Sequence, residues 1–300
     1  MIPEASSAAT LGVSVVLHDS CPTRLAATLK HLRASLCAAI GSGVLAAARV
    51  TIVDNGSSAA YRRDLAGLCA ACFDAPGGTC TDHDKSPAVQ PIGAAIRWQL
   101  VLEADNRGFG AGHNRAQRDA TEDYLLILNP DVELAPEALE EGLAWLQKSP
   151  GTVAINPRCV RADGTPEYLC KRYPSLLDLF LRGFGGARLR ARFRERLARY
   201  EYRDRAESDA PWSAQLLSGA CLLCRRHAFE ACEGFASAFF LYFEDFDLSR
   251  RLAGQGDLQC LPAMVAVHHG GDAARKGWRH RRWFVTSALR FFARHGWQLR

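Results

Sequence analysis

The sequence predicts an α/β protein in which a mostly parallel sheet is flanked by helices. Short apolar segments alternate with segments of helical periodicity along the first half of the chain, which is typical of this class. One apolar segment, residues 124–128, contains no charged residue, as expected of a strand covered on both faces. The 300 residues, 48% of them apolar and 23% charged, suffice for a large core in one or two domains.

The predicted elements of the first half alternate regularly. The strands are residues 11–17, 50–53, 98–103 and 124–128, and the helices between them are 24–40, 61–73 and 110–120. Residues 74–91, rich in Pro, Gly, Thr, Asp and His, predict a long exposed loop. The second half is less regular, and its predicted elements are a helix at 136–148, a strand at 216–224, a strand ending at His268-His269 and a final helix from about 281 to 295.

Composition and cysteine spacing exclude several classes of protein. The first ten residues carry Glu4 and no Lys or Arg, and no stretch approaches about 18 apolar residues, so we expect a cytoplasmic protein without a transmembrane helix. The eleven cysteines are expected to be mostly reduced. The pairs Cys69/Cys72 and Cys221/Cys224 have a spacing that can bind zinc, but the sequence around them favours a helix and a buried strand instead.

Two segments, residues 182–205 and 275–300, combine many arginines with aromatic residues. Such segments can bind nucleic acid, anionic lipid or a phosphorylated acceptor, or can form a solvated helix face. We expect no nucleic-acid partner and hypothesise that the C-terminal helix docks on an anionic membrane surface. The residues assigned to that contact are Arg281, Arg282, Arg290, Arg294, Trp283, Phe284, Phe291 and Phe292.

Polar clusters begin at Asp54, Asn106 and Asn129, each at or within three residues of the end of a predicted strand. Ligands of parallel sheets bind at the carboxyl ends of the strands, so these clusters predict a binding edge. In the cluster Asn129-Pro130-Asp131 the proline stiffens the turn that holds the carboxylate. A carboxylate in this position suits Mg²⁺ or Mn²⁺, and a turn or a helix cap is the structural alternative.

Glu244, Asp245 and Asp247 follow a strongly apolar run at residues 239–243. Acidic residues are favoured at the start of a helix, and Asp247 could pair there with an arginine one turn later, Arg250 or Arg251. Apolar surroundings also raise the pKa of a carboxyl group and can adapt it to general-base catalysis.

His268 and His269 end a predicted strand and precede two glycines. Imidazoles in this position can contact a metal or a phosphate, because glycine allows close approach. A purely structural histidine pair is the alternative.

In order and spacing, the segments VSVVLHDS, TIVDNGSS, DNRGFGAGHNRA, YLLILNPDVEL, FFLYFEDFDLSRRL and VHHGG resemble glycosyltransferase family 2, and most of all its bacterial rhamnosyltransferase branch. The resemblance spans roughly residues 13–271. It implies a GT-A fold: a Rossmann-like, mixed but mostly parallel sheet flanked by helices. It also implies a nucleotide-sugar half at 11–135 and an acceptor half at 136–272, after a flexible segment at 1–10 and before a basic C-terminal helix at 273–300.

The resemblance also assigns roles to single residues. Asp245, with Glu244 beside it, would be the catalytic base of an inverting displacement, and Asp131 and His268 would bind the divalent cation, with His269 as an alternative. Asn129 stands where the family motif has a first carboxylate, which leaves one metal ligand fewer. The residues assigned to the donor pocket are Leu17, His18, Asp54, Asn55, Asn106, Gly108, Phe109, Asn114 and Asn129.

The implied activity is transfer of a sugar, rhamnose or a related hexose, from a dTDP- or UDP-sugar to a glycan or lipid-linked glycan of a bacterial surface polysaccharide. A sugar nucleotidyltransferase is a weaker alternative, because residues 13–24 offer no glycine-rich, basic phosphate loop. A binding protein that kept the fold and lost the chemistry is a second alternative, and the acidic residues Asp131, Glu244 and Asp245 argue against it.

Overall fold

A computed structural model describes residues 8–73, 80–81, 90–92, 95–270 and 277–299. The described strands are β1 (Ala9–Leu17), β2 (Leu45–Asn55), β3 (Cys80–Thr81), β4 (Gln90–Ile92), β5 (Ile96–Glu103), β6 (Tyr124–Leu128), β7 (Val132–Leu134), β8 (Thr152–Arg161), β9 (Pro166–Glu167), β10 (Trp212–Ser213), β11 (Cys221–Arg225) and β12 (Asp257–His268). The described α-helices are α1 (Pro22–Gly41), α2 (Ala59–Cys72), α3 (Phe109–Gln117), α4 (Ala138–Lys148), α5 (Leu176–Gly183), α6 (Ala187–Arg192), α7 (Arg194–Tyr200), α8 (Arg226–Ala231), α9 (Glu244–Leu252) and α10 (Trp278–His295).

All these strands belong to one mixed sheet, whose main order is β10-β12-β8-β11-β6-β1-β2-β5-β3. The central strands β6, β1, β2 and β5 are mutually parallel, and β11 runs antiparallel between β6 and β8. The predicted fold class, a mostly parallel mixed sheet flanked by helices, is therefore confirmed.

Both faces of β6 are covered, which explains why the strand has no charged residue. Leu126 and Leu128 pack in the cluster that contains the apolar faces of α1 and α4. Leu125 and Ile127 point the other way and pack with residues of α8 and α9. Alternation of side chains along a strand produces this division, and it buries every residue of β6.

The structure differs from the predicted elements in three places. Strand β1 begins at Ala9, inside the segment predicted to be flexible. The strand predicted at 216–224 begins only at Cys221, because Leu216 pairs with Lys171 as an isolated bridge and residues 219–220 form a turn. Part of the loop predicted at 74–91 is the short strands β3 and β4, and the rest of it lies outside the described residues.

The hypothesis that the aromatic face of α10 contacts a membrane is wrong for Phe291 and Phe292. Both side chains are fully buried and pack in an aromatic cluster with Leu179, Phe239 and Phe243. Phe284 is partly buried against the same cluster.

Arg290 and Arg294 of α10 also make contacts within the protein. Arg290 donates a hydrogen bond to the Ala238 carbonyl at 2.6 Å, and Arg294 Nη1 lies 3.2 Å from Asp247 Oδ1. Helix α10 is amphipathic as predicted, but its aromatic residues Phe291 and Phe292 face the rest of the domain.

No helix in the described ranges has both the length and the apolar character needed to cross a bilayer.

The structure also shows where the two CxxC pairs lie. Cys221 and Cys224 point to opposite faces of β11, since they pack in different clusters, so they cannot bind one ion together. Cys69 and Cys72 lie buried on α2.

Candidate active site

The predicted site residues lie along one edge of the sheet, where β1, β2, β5, β6, β8 and β12 end. Strand β11 runs in the opposite direction and begins at this edge. The N–H of Asn129, directly after β6, donates a hydrogen bond to the carbonyl of Ala220, directly before β11, at 2.8 Å. The turns that follow and precede these strands are thereby joined.

Asp131 and His268 form a close pair at this edge. Asp131 Oδ1 lies 3.4 Å from His268 Nε2, and the Asp131 side chain is 27% exposed. His269 instead lies against Glu133, with its Nε2 2.9 Å from Glu133 Oε1. The structure therefore brings the imidazole of His268, and not that of His269, to the carboxylate of Asp131.

Electrostatics in this pair favour the charged forms of both residues. Burial opposes ionisation of Asp131, but the hydrogen bond and charge of His268, with Arg24, outweigh it and hold the Asp131 pKa below its ordinary value. Burial likewise lowers the pKa of His268, but contacts with Asp131 and Glu167 outweigh it and raise that pKa to about 9. The pair is thus a strongly polar site in an otherwise buried region.

The space around the pair fits a divalent cation. A Cβ at Gly270 would lie 2.5 Å from His268 Nε2 and 3.1 Å from Asp131 Oδ2, so the glycine leaves the space between these ligand atoms open. One carboxylate and one imidazole suit Mn²⁺ or Mg²⁺ when substrate phosphates and water complete the coordination. In the described part of the chain, no three His, Cys, Asp or Glu side chains are arranged to hold a metal without such help.

Asp245 lies in the first turn of α9, which a strained segment introduces. Tyr242 and Phe243 both have positive φ, 71° and 65°, a conformation that is unfavourable for bulky residues and is often retained at functional sites. Asp245 Oδ2 accepts a hydrogen bond from the N–H of Gly219 at 3.1 Å, and Oδ1 accepts one from Phe246 at 2.9 Å. These contacts fix the carboxylate beside the turn that precedes β11.

Burial raises the pKa of both adjacent carboxyl groups. For Asp245, burial outweighs the hydrogen bonds from Gly219 and Phe246, which lower the pKa. For Glu244, burial and the charge of Asp245 together raise the pKa well above its ordinary value. Glu244 is 5% exposed, and its Oε2 has no hydrogen-bond partner among the described residues. Burial disfavours ionisation of both groups, and their charges would repel each other, so the hydrogen bonds from Gly219 and Phe246 make Asp245 the carboxyl group that ionises more readily.

The loops of the predicted donor pocket are tied together by Asn55. Its amide donates hydrogen bonds to Asn106 Oδ1 at 3.0 Å and to the Gly108 carbonyl at 2.9 Å. Gly108 has φ +96°, and a Cβ there would lie 2.3 Å from the Phe240 carbonyl, so only glycine fits. Phe109 N–H donates to that same carbonyl at 3.0 Å. The predicted donor loop therefore contacts the segment that leads to Asp245.

The other predicted donor residues differ in accessibility. Asp54 is fully buried, with Oδ2 2.5 Å from Arg62 Nε and with Oδ1 unpaired among the described groups. Leu17 is also fully buried, whereas His18 is exposed. Asn114 is engaged on both sides of its amide by the backbone of Phe235, at 2.8 and 2.9 Å. The side chain of Asn114 therefore holds the loop that contains Phe235.

Sequence reasoning missed Glu167, whose Oε1 lies 3.1 Å from His268 Nδ1. It returns to the site through the hairpin of β8 and β9, which turns at Asp163-Gly164. That dipeptide is a strong hairpin signal, and it could have predicted that Glu167 lies opposite the end of β8. Gly164 has φ +80°, as such a turn requires.

A sheet of this topology, with an acidic turn after a central strand and a second acidic pair across the same edge, defines the class of GT-A glycosyltransferases. The chain belongs to glycosyl transferase family 2, whose family model matches residues 81–232.

Two solved structures share the fold. One is a structure of GalNAc-T7 with UDP, GalNAc and Mn²⁺, with a TM-score of 0.58 and 13% identity over 88% of this chain and 43% of that chain. The other is the mannosyltransferase PcManGT from Pyrobaculum calidifontis with GDP-Man and Mn²⁺, with a TM-score of 0.55 and 16% identity over 98% of this chain and 77% of that chain.

Curated relatives are similar in sequence. An N-acetylglucosaminyl-diphospho-decaprenol L-rhamnosyltransferase of Mycobacterium tuberculosis is 29% identical over 198 residues, 63% of this chain. The chain thus covers 63% of that relative's length. Rhamnosyltransferase WbbL of Escherichia coli is 28% identical over 199 residues, which are 62% of this chain and 70% of the relative.

Proposed function

We propose that the protein is an inverting, metal-dependent glycosyltransferase that moves a sugar from a nucleotide diphosphate to an acceptor hydroxyl. One observation carries the proposal: Asp131 and Asp245 lie at the same edge of the sheet, connected through the hydrogen bonds of Asn129 to Ala220 and of Gly219 to Asp245. A site for diphosphate and a candidate base are thereby neighbours, as a direct displacement requires.

Asp131 and His268 would hold the divalent cation, Mn²⁺ or Mg²⁺. When bound, the cation supplies positive charge that stabilises the leaving diphosphate. The open space at Gly270 and the carboxylate–imidazole pair support this assignment. The structures of GalNAc-T7 and PcManGT were determined with Mn²⁺, which supports the choice of metal.

Asp245 is the proposed general base. Its carboxylate takes the proton of the acceptor hydroxyl while that oxygen bonds to the anomeric carbon and the bond from this carbon to the diphosphate oxygen breaks. Attack from the face opposite the leaving group inverts the configuration. The raised pKa of Asp245 brings the carboxylate closer to the optimum for a base near neutral pH. Glu244, kept neutral by burial, adds no second negative charge beside it.

The donor is proposed to be a dTDP- or UDP-sugar carrying rhamnose or a related hexose, since the curated relatives are named rhamnosyltransferases. Asp54 is the proposed contact to the nucleobase of the donor, because its Oδ1 is buried and lacks a partner among the described groups. Asn106, Gly108 and Phe109 are proposed to line the pocket next to it, with Leu17, His18, Asn55 and Asn129 at its border. The nucleotide-sugar half would end at residue 135, between β7 and α4.

The acceptor is proposed to be a glycan or a lipid-linked glycan used for a bacterial surface polysaccharide. The M. tuberculosis relative is named for an N-acetylglucosaminyl-diphospho-decaprenol substrate, which supports a lipid-linked acceptor. Residues 136–272 would form the acceptor half.

We also propose that the protein contacts the inner face of the cytoplasmic membrane, but through a surface other than the buried aromatic face of α10. Exposed apolar residues lie on the adjacent helices α5 and α10: Phe180 (51% exposed), Phe184 (50%), Val285 (42%) and Leu289 (50%). Gly183 and Phe284 bring these helices together, since a Cβ on Gly183 would lie 3.8 Å from the Phe284 ring. Exposed arginines, among them Arg281 and Arg282, flank the surface.

Flotation with liposomes tests this contact. The wild type should float with vesicles containing anionic phosphatidylglycerol, and a Phe180→Ser/Leu289→Ser variant should remain in the soluble fraction. A wild type that stays unbound would refute the membrane contact.

A thermal-shift panel of nucleotide sugars, each with Mn²⁺ and with EDTA, tests the donor and the metal. One donor should raise the Tm only when Mn²⁺ is present. The same donor should then yield a glycosylated product with inverted anomeric configuration. Binding without product for every acceptor tried would favour a binding protein that has lost catalysis.

A further inference from the structure

A cationic pocket of about 310 Å³ lies beside the Asp131–His268 pair on the acceptor side of the site. Its charged lining residues are Arg161, Lys171, Arg182 and Arg203, with the carboxylates Glu167 and Glu201. Four cations against two carboxylates leave a local excess of positive charge. Apart from Glu167, which contacts the proposed metal ligand His268, these residues have no role in the transfer proposed above.

Glu201 holds the cations together. Its carboxylate lies 2.6 Å from Arg203, 3.5 Å from Arg182 and 3.9 Å from Lys171. Lys171 is only 7% exposed, so its ammonium group has lost most of its hydration. Burial, with the nearby charge of Arg182, lowers the pKa of Lys171 to about 7. Three cations that share one carboxylate are a poorly neutralised group, and a bound anion would stabilise them.

The pocket also borders both parts of the proposed active site. Glu167, in its wall, lies 3.1 Å from His268 Nδ1. On the other side, Lys171 and Leu216 exchange backbone hydrogen bonds of 3.0 Å, and Leu216 lies three residues before Gly219, which binds Asp245. The charge of Lys171 reaches Asp245 and lowers its pKa. An anion in the pocket would therefore lie close enough to Asp245 to be connected with it through Lys171 and the segment that precedes Gly219.

We propose that this pocket binds the diphosphate of a prenyl-diphosphate-linked acceptor and so positions the acceptor sugar in front of Asp245. The inference rests on the proposed transferase function and adds the site that selects the acceptor. One guanidinium group can donate two parallel hydrogen bonds to two oxygens of the same phosphate, and Arg182 and Arg203 could each bind in this way.

The surroundings of Arg182 favour a lipid-linked phosphate over a soluble one. Arg182 lies on α5, and the exposed rings of Phe180 and Phe184, two residues before and after it, stack with their centroids 6.2 Å apart. The helix that would bind the diphosphate therefore also carries an exposed apolar surface for a prenyl chain. Charge recognition and apolar contact then come from the same helix.

Calorimetric titration in EDTA tests the pocket without the metal site. Inorganic pyrophosphate should bind the wild type, and an Arg182→Gln/Arg203→Gln variant should bind it at least ten-fold more weakly. Arg188→Gln removes an exposed arginine of α6 outside the pocket and should change the affinity less than two-fold. Asp131→Asn should also leave it unchanged, which separates this site from the donor site.

Glu201→Gln provides a test of opposite sign. Removing the shared carboxylate should strengthen pyrophosphate binding several-fold, provided that the thermal unfolding of the variant is cooperative. No pyrophosphate binding by the wild type, or equal binding by the double arginine variant, would overturn the proposal.

Farnesyl diphosphate distinguishes the two sources of phosphate. It should bind more tightly than pyrophosphate, and Phe180→Ser/Phe184→Ser should remove the difference. Equal affinity of the two probes in the wild type would refute the lipid-linked source. Because neither titration requires catalysis, an absence of sugar transfer with intact pyrophosphate binding would count against the proposed function and not against the pocket.

Discussion

Gly219 donates its backbone N–H to the carboxylate of Asp245 at 3.1 Å, and this bond fixes the proposed base to the turn at the start of β11. Asp245 comes from a helix that follows a strained segment, whereas Gly219 comes from a turn held by Asn156, whose Oδ1 accepts the Ser218 N–H at 2.8 Å. The position of the base thus depends on contacts far apart in the chain.

Gly219→Ala should therefore impair catalysis more than folding. The new Cβ would lie 3.0 Å from the Phe109 ring and 3.3 Å from Asp245 Cβ, so the base or the ring must shift. A small displacement of a catalytic group commonly lowers the rate of the catalysed reaction about ten- to hundred-fold. Steady-state kinetics measures the loss in kcat. Gly67→Ala, in α2 with no neighbour within 4 Å, is the control and should keep full activity. Equal kcat values for the two variants would contradict this account of the turn.

Gly270→Ala should weaken metal binding. The added methyl group would lie 2.5 Å from His268 Nε2, in the space between the proposed ligands. We expect at least a ten-fold higher Mn²⁺ concentration for half-maximal activity, measured by titrating Mn²⁺ into the apo-enzyme. Unchanged Mn²⁺ dependence would show that the cation is bound elsewhere.

Asp247→Asn should destabilise the fold and release α10. Asp247 is fully buried and lies 2.7 Å from Arg251, 3.2 Å from Arg294 and 2.8 Å from His295. Breaking a buried ion pair while its partner remains costs about 3–5 kcal/mol of unfolding free energy. Denaturant unfolding measures the loss, and limited proteolysis should cut the C-terminal helix earlier. Asp257→Asn, at an exposed strand end, should change neither result.

His113 should make the protein less stable in mild acid. It is fully buried, and burial lowers its pKa to about 3. In the unfolded chain the pKa of His113 is near 6.5, so protonation favours the unfolded state below pH 6.5. The stability that the neutral, buried imidazole contributes is therefore fully present above pH 6.5 and is lost as the pH falls toward 3. Between pH 7 and pH 5 the loss amounts to about 2 kcal/mol.

Denaturant unfolding at both pH values checks this, with His113→Gln as the comparison. The variant should lose about 2 kcal/mol less than the wild type between the two pH values. An identical pH dependence would mean that the buried imidazole contributes nothing to it.

The parallel strands of the core could be predicted from the sequence, because buried strands such as β6 are apolar on both faces and are bounded by turn residues. It could not show what covers an amphipathic helix. Phe291 and Phe292 of α10 form an apolar face either way, and only the tertiary structure shows that the domain, and not lipid, covers it. Likewise, Lys171 and Glu201 are ordinary surface residue types whose burial results from packing of distant segments.

Side-by-side measurement of donor binding and sugar transfer in Asp131→Asn and Asp245→Asn tests the central claim most directly, with Asp257→Asn as the matched control. Asp245→Asn should bind the donor with Mn²⁺ like the wild type but transfer sugar about 10²–10⁴-fold more slowly. Asp131→Asn should lose the Mn²⁺-dependent part of donor binding. Transfer by Asp245→Asn at the wild-type rate would contradict the assignment of the base and the account built on it.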